Sequence, residues 1–176
     1  EIASQKPDVV FAFFAGGGAV KFVKDYDAAG LKRTVPLLGS GFLTDGTLEA
    51  QGASAQGLQT ALHYADNLDT PRNNAFRKSF ALTFKANADV YAVQGYDAAQ
   101  LLGAGLSAVK GDFSKRDGMI GAMRKATIDS PRGKFTLSAS HNPVQDMFLR
   151  EAVGKNNEYK GVAVKALADP GRGCKM

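Results

Sequence analysis

Cysteine is almost absent: the 176-residue chain holds one, Cys174. A lone cysteine forms no internal disulfide and no C-x-x-C metal or redox motif. A reactive thiol needs an activating neighbour, and the nearby Arg172 and Lys175 establish nothing by position alone. Tryptophan is missing, and histidine is limited to His63 and His141, too far apart in sequence for an H-x-x-x-H metal pair. No apolar run approaches the ~20 residues of a membrane-spanning helix. No secretory leader opens the chain. It begins Glu1-Ile2-Ala3-Ser4 without an initiator methionine and is expected to be part of a longer protein. Charge is modest as well, with 22 Lys and Arg against 17 Asp and Glu, a net +5. The basic residues from Lys110 to Lys134 are interrupted by Asp112, Asp117 and Asp129. That is the pattern of solvated helix faces rather than of a nucleic-acid footprint.

Glycine (20) and phenylalanine (11) are plentiful, within a composition of 44% hydrophobic and 22% charged residues that is ordinary for globular proteins. The length suffices for one domain with a substantial core. The most informative stretch is the apolar run Val9-Val10-Phe11-Ala12-Phe13-Phe14-Ala15. It breaks into Gly16-Gly17-Gly18 and then into the helix-like Ala19-Val20-Lys21-Phe22-Val23-Lys24. A buried strand that ends in glycine and turns into a helix presents bare backbone at the carboxyl edge of a sheet. Open α/β folds bind small ligands there. A nucleotide does not fit. Gly16 and Gly18 give G-x-G, but Lys21 stands where a dinucleotide fingerprint needs its third glycine. No Gly-Lys-Ser/Thr follows to form a phosphate loop. Two readings remain: a tight turn with glycine at positive φ, or a turn whose backbone approaches a ligand closely.

The organisation alternates strands and helices. Residues 8–15 read as a strand buried on both faces. Residues 18–29 read as a helix with Ala19, Val23 and Tyr26 on one face, stopped by Gly30. Residues 35–39 form a second strand, with Pro36 at its start or near an edge. Residues 40–46 are loop, a short turn follows near Leu48, and residues 57–64 alternate as a third strand. This β-α-β-loop-β order favours a parallel sheet. The middle is helical. Thr70-Pro71 caps a helix in which Phe76, Phe80 and Phe84 recur every fourth residue. Residues 89–109 and 114–126 form two more helices. With little strand nearby, the phenylalanine face is expected to be exposed unless another chain or segment covers it. Strand character returns at 133–138, 147–153 and 159–167. The last two are joined as a hairpin through Gly154-Lys155-Asn156-Asn157.

Catalytic constellations are thin. His63, in a strand beside Tyr64, and His141, in the turn His141-Asn142-Pro143, read as structural. Ser40 stands between Gly39 and Gly41, but Leu38 and Phe42 break the G-x-S-x-G of a nucleophile turn. A triad of Ser40, His141 and Asp97 can be drawn on paper, as in any chain of this size. No motif supports a hydrolase or a reductase.

Several segments, in order, carry a resemblance: Lys6-Pro7-Asp8-Val9-Val10, Phe13-Phe14-Ala15-Gly16-Gly17, Ala29-Gly30-Leu31-Lys32 and Leu38-Gly39-Ser40-Gly41. Ala55-Gln56-Gly57-Leu58, Gly95-Tyr96-Asp97-Ala98-Ala99 and Leu167-Ala168-Asp169-Pro170 continue it. The chain resembles the C-terminal half of a periplasmic solute-binding protein of the branched-chain amino-acid transport type. The resemblance covers nearly the whole chain and rests on the order and spacing of motifs that are individually weak. It implies an α/β fold: a three-layer parallel-sheet lobe of the type I periplasmic binding fold, with part of a second lobe. In that family two lobes close on a ligand by hinge motion, without catalysis and without a cofactor. It further implies a small-molecule ligand, an ABC transporter permease as partner, the missing N-terminal half of the same protein, and a periplasmic location. Nucleic acid and membrane insertion are not implied. Residues 1–62 would belong to the second lobe, 63–138 to the first, and 139–176 to the second again, with the hairpin.

By the same resemblance, Phe14, Ala15, Gly16 and Gly17 line the cleft after the first strand. Amino-acid binders of this family carry an acid for the ligand's ammonium in the loop after the second strand. That position falls on Ser40 or Gly41, and no acid stands there. Phe42 follows it. The aromatic that opens the helix after the crossover matches Tyr91, with Tyr96 and Asp97 just beyond, and Asp97 is the residue left to take the ammonium. Without an acid at Ser40-Gly41, a buried ammonium lacks its charge partner, which is costly. Phe13, Phe14, Phe42, Tyr91 and Tyr96 offer aromatic cover. The expected ligand is therefore a carboxylic acid without an α-amino group, with an aromatic acid as a candidate, over leucine or valine. The alternative is a ligand-sensing domain of a receptor or repressor with the same fold.

Overall fold

The computed structural model describes residues 1–168. Cys174 and the Asp169-Pro170 part of the family-like ending lie outside the described residues. The chain divides into two compact units, one of residues 1–68 with 147–163, the other of residues 69–146 with the described residues from 164 onward. The breaks expected after 62 and 138 fall earlier in the chain than these. Tyr64, Ala65 and Leu68 are buried. The Asp66 carboxylate also accepts the Asn157 amide, and Asn67 that of Tyr159, so this stretch stays with the first unit.

The first unit opens with a single helical turn, α1 (Ile2–Gln5), followed by β1 (Val10–Ala12), α2 (Gly16–Ala28), β2 (Leu37–Ser40), α3 (Leu48–Gln51) and β3 (Gln59–Leu62). The three strands are parallel neighbours, with Ala12 beside Gly39 and Gly39 beside Thr60. Two long strands, β5 (Pro143–Val153) and β6 (Asn156–Leu167), begin or end beyond this unit. Within it, β5 runs antiparallel to β3, Thr60 opposite Arg150, and β6 pairs with β5. The sheet is thus parallel in its first three strands and mixed as a whole. The hairpin turn is shorter than expected, because Asn156 and Asn157 already belong to β6.

Helix α2 starts at Gly16 and buries Ala19, Val23 and Tyr26, the face its spacing predicts, and Gly30 follows it at φ 73°. The Tyr26 hydroxyl donates to the Val35 carbonyl at 3.0 Å, and burial pushes its pKa up. The core gathers these residues with Ala12, Leu37, Leu43, Leu48, Leu58 and Ala152. Leu37 and Gly39 alternate inward along β2 as strand geometry demands. The run 8–15 departs from expectation. Only Val10–Ala12 is strand, and Phe11 and Phe13 are 70% and 65% exposed. β1 ends the strand order, and among the described residues nothing covers the face that carries Phe11.

The second unit holds α4 (Pro71–Phe84), α5 (Val90–Ala108), α6 (Arg116–Lys125) and the short β4 (Thr136–Leu137), which pairs with the first residues of β5. Side chains cap two of its helices: Thr70 accepts from the Asn73 amide and Asp89 from the Ala92 amide. The close contact of α5 with α6 explains Gly105, where an added Cβ would lie 2.7 Å from Met123. The α4 phenylalanines divide. Phe76 is buried against Tyr96 of α5, ring centroids 5.1 Å apart, whereas Phe84 is 63% exposed.

Candidate functional site

Parallel pairing of β1 with β2 brings their carboxyl ends together. Phe14, Ala15, Gly16 and Gly17 follow β1, Ser40 ends β2, and Gly41 and Phe42 follow it, so seven of the expected site residues share one edge of the first unit. Phe13 meets Phe42 edge-on at 6.2 Å, and Phe14 stacks on Phe22 at 4.6 Å. The first contact joins the two loops, and the second ties Phe14 to α2. Ala15 is the N-cap of α2 and supplies no side-chain oxygen, and no acid stands in the first turn. The first N–H groups of a helix lack intrahelical partners, and its dipole places positive charge there. A Cβ added at Gly16 or Gly17 would meet nothing within 4 Å, although Gly16 also has φ +54°. Both glycines therefore leave open space, and Gly16 also makes the turn.

The loop after β2 is built differently. Gly41–Leu43 forms a 3-10 turn whose N-cap is Ser40. The Ser40 hydroxyl is buried and has no hydrogen-bond partner among the described residues. Gly41 has no room for a side chain: an added Cβ would lie 2.6 Å from Arg150 Nη2 and 2.6 Å from Leu62 Cβ. The nearest following acid, Asp45, is buried and bonded to the guanidinium of Arg150 at 2.9 Å and 3.2 Å. Arg150, wholly buried, also donates to the Thr60 hydroxyl and the Tyr64 carbonyl, and Asn157 donates to Asp45 at 3.1 Å. Sequence reading did not find this group. Its signal was Arg150 standing between Phe148 and Ala152 on the inward face of β5. His63, expected within a strand, lies just beyond the end of β3, buried at the same sheet edge.

Tyr91, Tyr96 and Asp97 all belong to α5 of the second unit. Tyr91 is 45% exposed, while Tyr96 lies against Phe76 and beneath the Arg72 guanidinium, 5.0 Å from its ring centroid. Asp97 is buried, and its Oδ2 accepts from Ser130 and from Arg132 Nε, both at 2.9 Å, while Oδ1 has no partner among the described residues. Burial pushes the Asp97 carboxyl above its ordinary value, outweighing the opposing pull of Ser130 and Arg132. Burial likewise pushes Arg132 down, against the pull of Asp97. Asp97, the residue expected to take an ammonium, already pairs with Arg132 through Oδ2. A cavity of about 420 Å³ adjoins this pair, walled by Leu101, Met123, Phe135 and His141. His141 is a turn residue at φ 65°. No cluster of His, Cys, Asp or Glu among the described residues is placed to hold a metal ion. None of their helices is long and apolar enough to cross a membrane.

Residues 1–157 match the family of periplasmic binding proteins. The chain belongs to that family. A solute-binding protein of an ABC transporter from R. palustris, solved in complex with benzoate, is similar over 99% of this chain and 48% of its own, with 54% identity and a TM-score of 0.92. Another, from Rhodopseudomonas palustris HaA2 and in complex with p-hydroxybenzoic acid, is similar over 98% of this chain and 49% of its own, with 28% identity and a TM-score of 0.87. A Leu/Ile/Val-binding protein homolog of Brucella melitensis is 31% identical over 81% of this chain and 38% of its own length. The chain therefore spans less than half the length of these relatives. The fold is the α/β fold of type I periplasmic binding proteins.

Proposed function

We propose that the protein binds a small aromatic carboxylic acid, of the benzoate or hydroxybenzoate class, in the periplasm and delivers it to the permease of an ABC transporter, without catalysing a reaction. The observation that carries this reading is electrostatic. At the carboxyl edge of the sheet, residues 13–17 and 40–42 offer aromatic rings and bare backbone and hold no carboxylate for an ammonium. Ser40-Gly41 holds no acid, and Asp45, the first acid after it, is spent on Arg150 and Asn157. The positive end of α2 at the same edge disfavours an ammonium further. A benzoate carries no ammonium, and its ring suits Phe13, Phe14 and Phe42. In this reading Phe14, Ala15, Gly16, Gly17 and Phe42 form one wall, Ser40 offers its unpartnered hydroxyl, and Gly41 shapes the turn. Benzoate and p-hydroxybenzoic acid in the two solved relatives support this choice. The Brucella relative supports the second reading, a branched-chain amino acid.

A thermal-shift series on the full-length protein tests it. A ligand at about 100 times its Kd stabilises the folded state by roughly 2.7 kcal/mol. Benzoate and 4-hydroxybenzoate are expected to raise the melting temperature by several degrees, and leucine, isoleucine and valine to leave it unmoved. The opposite ranking overturns the proposal in favour of the second reading.

A further inference from the structure

We propose that Arg150 is a positioning residue for the ligand: its guanidinium, clamped to Asp45, holds the turn at Ser40–Phe42 in its binding shape. This rests on the reading of that turn as part of the solute site. Arg150 approaches the turn from β5, and its Nη1 and Nη2 both bond Asp45, while Nε and Nη2 reach the Thr60 hydroxyl. Asp45 is the residue whose amide closes the turn, donating to the Gly41 carbonyl at 3.0 Å. Asn157, from β6, adds a second tie. It donates to Asp45 at 3.1 Å and accepts from the Thr44 hydroxyl at 2.6 Å. The clamp leaves Gly41 no side-chain space, since Arg150 Nη2 occupies the place where a Cβ would point.

A buried ion pair is weak support for stability, because desolvation offsets the attraction. What such a pair does supply is one geometry, fixed by the planar fork of the guanidinium. Arg150 and Asn157 stand on the two strands whose chain continues into the second unit. The turn is therefore gripped by the segments through which the chain passes between units, and not only by its own neighbours in sequence.

Hydrogen exchange and ligand titration on the full-length protein test the proposal together. Arg150→Met is expected to speed amide exchange at residues 41–47 by about tenfold relative to α2, as local opening becomes easier. Its Kd for benzoate is expected to rise by about tenfold, one factor of ten in affinity. Arg150→Lys, which keeps charge but not the fork, is expected to recover only part of either change. If Arg150→Met does not fold, Asn157→Ala removes the second tie and is read in the same way. Exchange that rises uniformly over the unit, or an unchanged Kd in the folded variant, overturns the proposal. If the unaltered protein binds no aromatic acid, the proposed function fails, and exchange at 41–47 alone then decides whether Arg150 holds the turn.

Discussion

At the residue scale, the glycines of the candidate site do different work, and substitution separates them. A Cβ added at Gly41 would lie 2.6 Å from Leu62 Cβ and 2.6 Å from Arg150 Nη2. Gly41→Ala is therefore expected to cost about 1–3 kcal/mol, as overpacking does, measured by urea unfolding. Gly17 lies in the first turn of α2 with no atom within 4 Å of an added Cβ. Gly17→Ala is expected to stabilise the fold by up to about 0.5–1 kcal/mol while weakening benzoate binding. A gain in stability with unchanged affinity would remove Gly17 from the site. Asp97 gives a pH signature. Its carboxyl is held above its ordinary value by burial, so between the ordinary and the raised value the folded protein binds more proton than the unfolded chain. Its contribution to stability is full below about pH 3.9 and declines as pH rises through the raised value. Asp97→Asn is expected to flatten that decline in a stability-against-pH profile; an unaltered profile contradicts this account of the pair.

At the element scale, what was legible is what local rules decide. The Ala19-Val23-Tyr26 face, the Thr70-Pro71 cap and the parallel β-α-β order follow from spacing and capping chemistry, and the structure has them. Thr70→Ala is expected to cost about 1 kcal/mol through the lost bond to the Asn73 amide, measurable in a thermal melt. The strand expected over 8–15 is longer than the observed one because apolar sequence reports what wants cover, not what covers it. Phe11 and Phe13 stay exposed, and the strand shrinks to Val10–Ala12. Likewise, the spacing of Phe76, Phe80 and Phe84 could not show that Tyr96 buries the first and leaves the last open. The turn at Gly41–Leu43 falls within the expected loop, and its anchor, Arg150, lies 105 residues from Asp45. No local pattern announces a partner at that distance. The one available hint was a charge on the inward phase of β5.

At the scale of the whole molecule, the chain folds as two units crossed three times by the backbone, at 68–69, 146–147 and 163–164. The edge that gathers Phe14 to Gly17 with Ser40 to Phe42 lies in the first of them, and Tyr91, Tyr96 and Asp97 lie in the second. Family membership and the α/β fold were legible from the order of many weak motifs, although the sheet is mixed where a parallel one was expected. The charges that the proposed ligand rests on were legible only in part. The missing acid at Ser40-Gly41 shows in the sequence, but the diversion of Asp45 and Asp97 into pairs with arginine does not. Under the proposed function, that diversion leaves an ammonium without a charge partner and so favours acids over amino acids. Isothermal titration of the full-length protein with benzoate and with leucine measures that preference directly. The account predicts benzoate binding at micromolar Kd or tighter, about −8 kcal/mol or better, and no heat from leucine. Tight leucine binding with none for benzoate would contradict it.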